Sequence, residues 1–120
     1  MRLLLECELE PGWRETLAGF ENHAGRTKLD SGAAPLGRVV AGFGNDGESG
    51  YEGCRLGRAI GTYLHGPLLP RNPWLADWLL AQALAHAGGG EPPELAPLGD
   101  ELEADAHAVS AGRAHSRGGR

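Results

Sequence analysis

The sequence is poor in several things, and each shortage excludes something. Two cysteines, Cys7 and Cys54, in 120 residues are too few for a disulfide framework and lack CxxC spacing, so they read as reduced thiols in a reducing compartment. Aromatic residues make up only 6% of the chain, while Gly and Pro contribute 20 and 8 residues. That is lean for a globular core, though far from a collagen-like or wholly disordered composition. Lys and Arg number 11 against 16 acids, for a net charge of -5. A nucleic acid or an anionic membrane surface as the main partner is thereby disfavoured, because such binding needs concentrated cationic side chains. Only Arg113, Arg117 and Arg120 cluster, loosely. No run is long enough for a transmembrane helix, and Met1-Arg2-Leu3-Leu4-Leu5-Glu6 turns acidic too early for a signal-peptide core. The expectation is a cytoplasmic protein without a transmembrane segment.

What is present divides at Gly88-Gly89-Gly90. From Gly88 to Arg120 there are seven Gly, three Pro, six acids, three Arg and no aromatic residue, so little apolar area is available to offset the entropy of ordering. The expectation is a folded unit over 1–87 and a flexible tail over 88–120. A short helix over Leu98–Ala108 has only the small anchors Leu98, Leu102 and Ala106 at helical spacing.

Within 1–87, Leu3, Leu5, Cys7 and Leu9 alternate with Glu6 and Glu8 as on a half-buried strand, and Pro11-Gly12 ends it. Further short strands are expected at Leu17–Phe20, Leu36–Phe43 and Ala59–Leu64. The glycines and Asn/Asp of Gly44–Gly50 suit tight turns between the last two. One strong helix is signalled by Asn72 as N-cap and Pro73 at its first position. Its expected apolar stripe is Ala76, Leu79, Leu80, Ala83, Leu84 and Ala87, with Gly88 as C′ and with Trp74 and Trp78 on another face. Strands followed by a helix give an α/β class, a mixed sheet with one strong helix. Such a set covers only one sheet face, so the unit reads as incomplete.

Several polar groups are candidates for chemistry. His65 follows a β-rich run and precedes Gly66-Pro67, the strand-end position where open α/β sheets place reactive groups. Its imidazole is suited to taking and returning a proton near neutral pH. Spacing alone leaves open both a catalytic His and one tied to the backbone. Glu21, Asn22, His23 and Arg26 crowd into six residues, either to bind a polar substrate or to hold a turn in which Arg26 pairs with Glu21 or Asp30. A metal held by His23, His65 and Glu21 matches no usual zinc spacing. Cys7 alternates into the core, and neither Cys7 nor Cys54 sits on a Gly-flanked elbow, so neither is a convincing nucleophile.

The segments GFENHAGRT (19–27), PLGRVVAGFGNDGE (35–48) and GTYLHGPLLPRNPWLADWLL (61–80) together resemble the carboxy-terminal half of a CobB/CobQ-like class I glutamine amidotransferase. The likeness is greatest to glutaminase subunits of the lipid II isoglutaminyl synthase type, and it covers about Arg2 to Ala87. The resemblance implies hydrolysis of glutamine through a Cys thioester, without a cofactor. Ammonia then passes to a Mur-ligase-like partner that amidates D-glutamate in the peptidoglycan stem peptide with ATP. His65 matches the family's catalytic His, while Glu21, His23 and Arg26 receive no individual roles. Two departures accompany it. The half that carries the family's Cys nucleophile is missing here, and Pro67 stands where many class I enzymes place a Glu. Alone, the chain is expected to be inactive. It is then a truncated product, one part of a split subunit, or a non-catalytic interaction protein that keeps a partner-binding surface.

Overall fold

A computed structural model describes residues 1–118; Gly119 and Arg120, the end of the expected tail, lie outside the described residues. Among the described residues six strands and three helices follow in the order β1 (Arg2–Glu10), β2 (Trp13–Phe20), β3 (Gly37–Ala41), β4 (Tyr51–Glu52), β5 (Cys54–Leu56), β6 (Ala59–Gly61), α1 (Leu68–Arg71), α2 (Pro73–Gly88) and α3 (Glu101–Gly118). β2-β1-β3-β4 form one sheet and β5-β6 a small second one, with every strand pair antiparallel. The α/β class stands, with the described strands paired antiparallel throughout where a mixed sheet was expected.

β1 is central because both of its faces are apolar near its start. Leu3, Leu5, Cys7 and Leu9 are buried on one side, with Leu17, Leu36, Leu64, Leu75 and Trp78 completing that cluster. Leu4 points to the other side and packs with Ala18, Ala41 and Ala114. At about 25 cal/mol per Å² of apolar area removed from water, the leucine-rich face dominates the stabilisation.

α2 covers that face, turned differently from the expected stripe. Leu75, Trp78 and Ala85 are buried, while Leu80 and Leu84 remain 57% and 51% exposed. The tryptophans choose the face, since an indole buries more area than Leu or Ala and also brings an N–H that needs a partner. Trp78 Nε1 donates to Glu10 Oε1 at 2.9 Å and Trp74 Nε1 to the Thr16 carbonyl at 2.7 Å. Trp74 meets Trp13 edge-on with centroids 5.3 Å apart. Asn72 is not a side-chain cap. Fully buried, it accepts from the Ala18 N–H at 2.8 Å and donates to the carbonyls of Ala18 and Leu68 at 3.0 and 2.8 Å, fastening the helix start to β2. The left-handed residue at the far end is Gly89, one position beyond the expected Gly88.

The expectation of a flexible tail is corrected over 101–118, which form α3 on the opposite face of the sheet. The anchors are not Leu98 and Leu102, which stay 77% and 81% exposed, but Ala114, which is buried. Ala18 and Ala41 leave room for a helix backbone to approach closely, so small residues suffice for the contact. His107 adds a polar clasp: its Nε2 lies 2.8 Å from Thr16 Oγ1, and its Nδ1 lies 3.0 Å from the Arg71 carbonyl and 3.1 Å from Asn72 Oδ1. Both faces of the sheet are therefore covered, and two helices of some length are present rather than one.

Candidate active site

The geometry around His65 begins at the end of β2. Phe20 and His65 pair as an isolated antiparallel bridge. The Phe20 N–H donates to the His65 carbonyl at 3.0 Å, and the His65 N–H donates to the Phe20 carbonyl at 2.8 Å. Gly19 makes this approach possible, because a Cβ there would collide with the His65 carbonyl oxygen. Directly opposed residues of an antiparallel pair send their side chains to the same side. The Phe20 and His65 rings accordingly meet at 5.4 Å between centroids, tilted by 31°. His65 is exposed, and its backbone is held on both sides while its imidazole faces solvent. Among the sequence candidates His23 is half-buried and Glu21 buried, whereas His65 is exposed.

The neighbouring Glu21, His23 and Arg26 take up structural positions. Glu21 is buried and accepts from the N–H groups of Phe43 and Gly44 at 2.6 and 3.0 Å, tying the turn after β3 to the end of β2. His23 Nε2 sits 3.8 Å from Glu21 Oε2, and its Nδ1 is 2.8 Å from the Gly25 carbonyl. Its ring stacks on Tyr63 at 3.8 Å, nearly parallel at 6°. Tyr63 in turn shares a 2.7 Å hydrogen bond with Thr27. Arg26 pairs with neither Glu21 nor Asp30 but with Glu48 at 3.6 Å, in an exposed contact of small energetic weight. A cleft of about 340 Å³ opens between these loops, lined by Glu21, Asn22, His23, Arg26, Phe43 and Asn45 among others.

Three buried polar groups that sequence reading missed complete the scaffold. Glu52 is fully buried and accepts from Thr62 Oγ1 and the Tyr63 N–H, both at 2.7 Å, anchoring the segment that leads into His65. Burial raises its carboxyl above the usual range, against the lowering effect of the bonds from Tyr63 and Thr62. Asn45 spans the hairpin loop, donating to the Gly53 carbonyl at 3.0 Å and accepting from the Gly53 N–H at 2.8 Å. Asn72 is the third. Each sits in a sequence context that suits an exposed turn or cap, and only the fold turns it inward.

The two cysteines sit in different surroundings. Cys7 is buried, and burial, with the charges of Glu52 and Glu6 adding to it, pushes its thiol up to about 12, the opposite of an activated nucleophile. Cys54 is half-buried at the start of β5, where its sulfur lies close to Gly61 of the paired strand. Among the described residues no group of three His, Cys, Asp or Glu side chains is placed to hold a metal ion, and no helix is long and apolar enough to cross a membrane.

Comparison with known proteins places this arrangement. The CobB/CobQ-like glutamine amidotransferase domain matches residues 2–73. The glutamine-hydrolysing GatD subunit of lipid II isoglutaminyl synthase from Staphylococcus aureus (strain N315) is 40% identical over 114 residues, 95% of this chain and 45% of that protein. GatD of Streptococcus pneumoniae (strain ATCC BAA-255 / R6) is 50% identical over 75 residues, 62% of this chain and 29% of its own length. A probable cobyric acid synthase of Methanothermobacter thermautotrophicus is 46% identical over 52 residues, 43% of this chain and 10% of the synthase. The chain thus spans less than half the length of these curated relatives, and the alignment with the staphylococcal protein is long enough to extend into α3. With a family match over more than half its length and the His65 segment inside that match, the chain belongs to the CobB/CobQ-like glutamine amidotransferase family.

Proposed function

We propose that this chain supplies the His-bearing part of a glutaminase site in a lipid II isoglutaminyl synthase. In this reading a Cys thiolate outside the chain attacks the side-chain amide carbon of glutamine. His65 takes the thiol proton and returns it to the departing ammonia. Water then hydrolyses the thioester to glutamate and restores the thiol. Ammonia passes to a Mur-ligase-like (MurT-type) subunit, which amidates the α-carboxyl of D-glutamate in the stem peptide with ATP. The observation that carries the reading is the pairing of an exposed, backbone-clamped His65 with a chain whose buried Cys7 is pushed up to about 12. A base is present and its nucleophile is not. The chain by itself is therefore inactive.

A second reading, a non-catalytic interaction protein that keeps the partner-binding part of the domain, draws on the exposed Leu80 and Leu84 of α2. One experiment separates the two. In the native complex captured from the source cell through a tag on this chain, His65→Ala should abolish ammonia release from glutamine while leaving folding and partner association intact. Ammonia release at the wild-type rate in that variant would remove the catalytic reading and leave the interaction role.

A further inference from the structure

We infer that Phe20 is the positioning residue of His65, holding by ring contact an imidazole that no carboxylate among the described residues holds. The inference rests on the glutaminase reading above, and it goes beyond it by giving the Gly19-Phe20 pair a role. Among the described residues the His65 ring makes no hydrogen bond or ion pair; the two bonds that fix the residue are both made by main-chain groups. The position two residues on, where a Glu would orient the ring, is Pro67. An exposed His with only its backbone fixed samples several staggered rotamers, and a base that must meet a thiol in one geometry loses rate in proportion to the time spent elsewhere.

Phe20 restricts that sampling. It faces His65 across a two-bond bridge, with ring centroids 5.4 Å apart and a 31° tilt, within the range where aromatic pairs attract. Phe20 is itself 42% exposed and outside both buried clusters, so core filling does not account for a ring of this size at the strand end. Its preceding residue completes the device. Gly19 lets β2 come so near the His65 carbonyl that no side chain would fit between them, which fixes the distance at which the two rings meet.

The test has two readouts. In the 120-residue chain, Phe20→Leu removes the ring current felt by the His65 ring protons, so their NMR signals should move, whereas Phe20→Tyr keeps them near their wild-type positions. In the native complex, Phe20→Leu should lower kcat for glutamine hydrolysis by about tenfold to a hundredfold with KM unchanged, and Phe20→Tyr should restore most of the rate. A wild-type kcat in Phe20→Leu beside an inactive His65→Ala overturns the positioning role and leaves the glutaminase reading standing. Equal losses in the Leu and Tyr variants overturn it as well. Full activity in His65→Ala is a failure of the glutaminase reading instead, and the NMR comparison still decides whether Phe20 holds the ring.

Discussion

The two helices that cover this sheet do so by different means. α2 lays Leu75 and Trp78 against a leucine-rich face. α3 lays Ala114 against Ala18 and Ala41 and adds the polar clasp of His107 to Thr16, Arg71 and Asn72. The first contact is large side chains filling space. The second is small side chains allowing close approach, with hydrogen bonds supplying direction. Bulk announces itself in a sequence, whereas closeness depends on which small residues end up opposite one another. The comparison also explains why a Gly-rich, aromatic-free segment is part of the folded unit.

Substitutions on the two helices can break that contrast. Leu75→Ala on the filled face should cost about 2–5 kcal/mol in urea unfolding, against a change within about 0.5 kcal/mol for the exposed Leu84→Ala on the same helix. Comparable losses at both positions would place α2 on its other face. Ala114→Leu should cost about 1–3 kcal/mol by overpacking, where a mobile tail would feel nothing. His107→Ala should cost about 1 kcal/mol or somewhat more by leaving the Thr16 and Asn72 side chains short of a partner. It should also speed amide hydrogen exchange in 101–118 more than in α2, and equal speeding in both helices would deny α3 its separate attachment.

The smallest effect concerns the scaffold of His65. Because burial raises the Glu52 carboxyl, the folded chain keeps a proton there to a higher pH than the unfolded chain does. Stability then falls as pH rises from the ordinary carboxylate range through the raised one. Glu52→Gln should flatten that part of a stability profile taken between about pH 4 and 8. Asp46 acts in the opposite sense: the N–H groups of Ser49 and Glu48 hold it down to about 2, so its contribution is present above the ordinary Asp value and is lost as pH falls towards about 2. An unchanged slope in Glu52→Gln would mean that the buried carboxyl is not protonated where its burial says it should be.

Much of the frame was legible in the sequence because it rests on periodic bulk and on backbone-special residues. β1 shows its alternation, α2 its Pro73 start, and the loop between β3 and β4 its glycines, of which Gly44, Gly47 and Gly50 do adopt positive φ. His65 was legible as a candidate base before the Gly66-Pro67 turn, and it lies inside the family match over residues 2–73. What escaped depends on pairing across the chain. The face of α2 is set by which indole N–H reaches Glu10 or Thr16, the turning inward of Asn72 by the free backbone groups of Ala18, and the docking of α3 by two alanines on different strands. Spacing along one segment carries none of that information. The ring of Phe20 belongs with these: it reads as one more apolar strand residue until the bridge to His65 is known.

The proposal that this chain holds a base without its nucleophile is tested most directly by ammonia release from glutamine. The purified 120-residue chain should release none above the uncatalysed rate, while the complex captured from the source cell through the same chain should release it at an enzymatic rate. Glutamine hydrolysis by the purified chain alone would contradict the account.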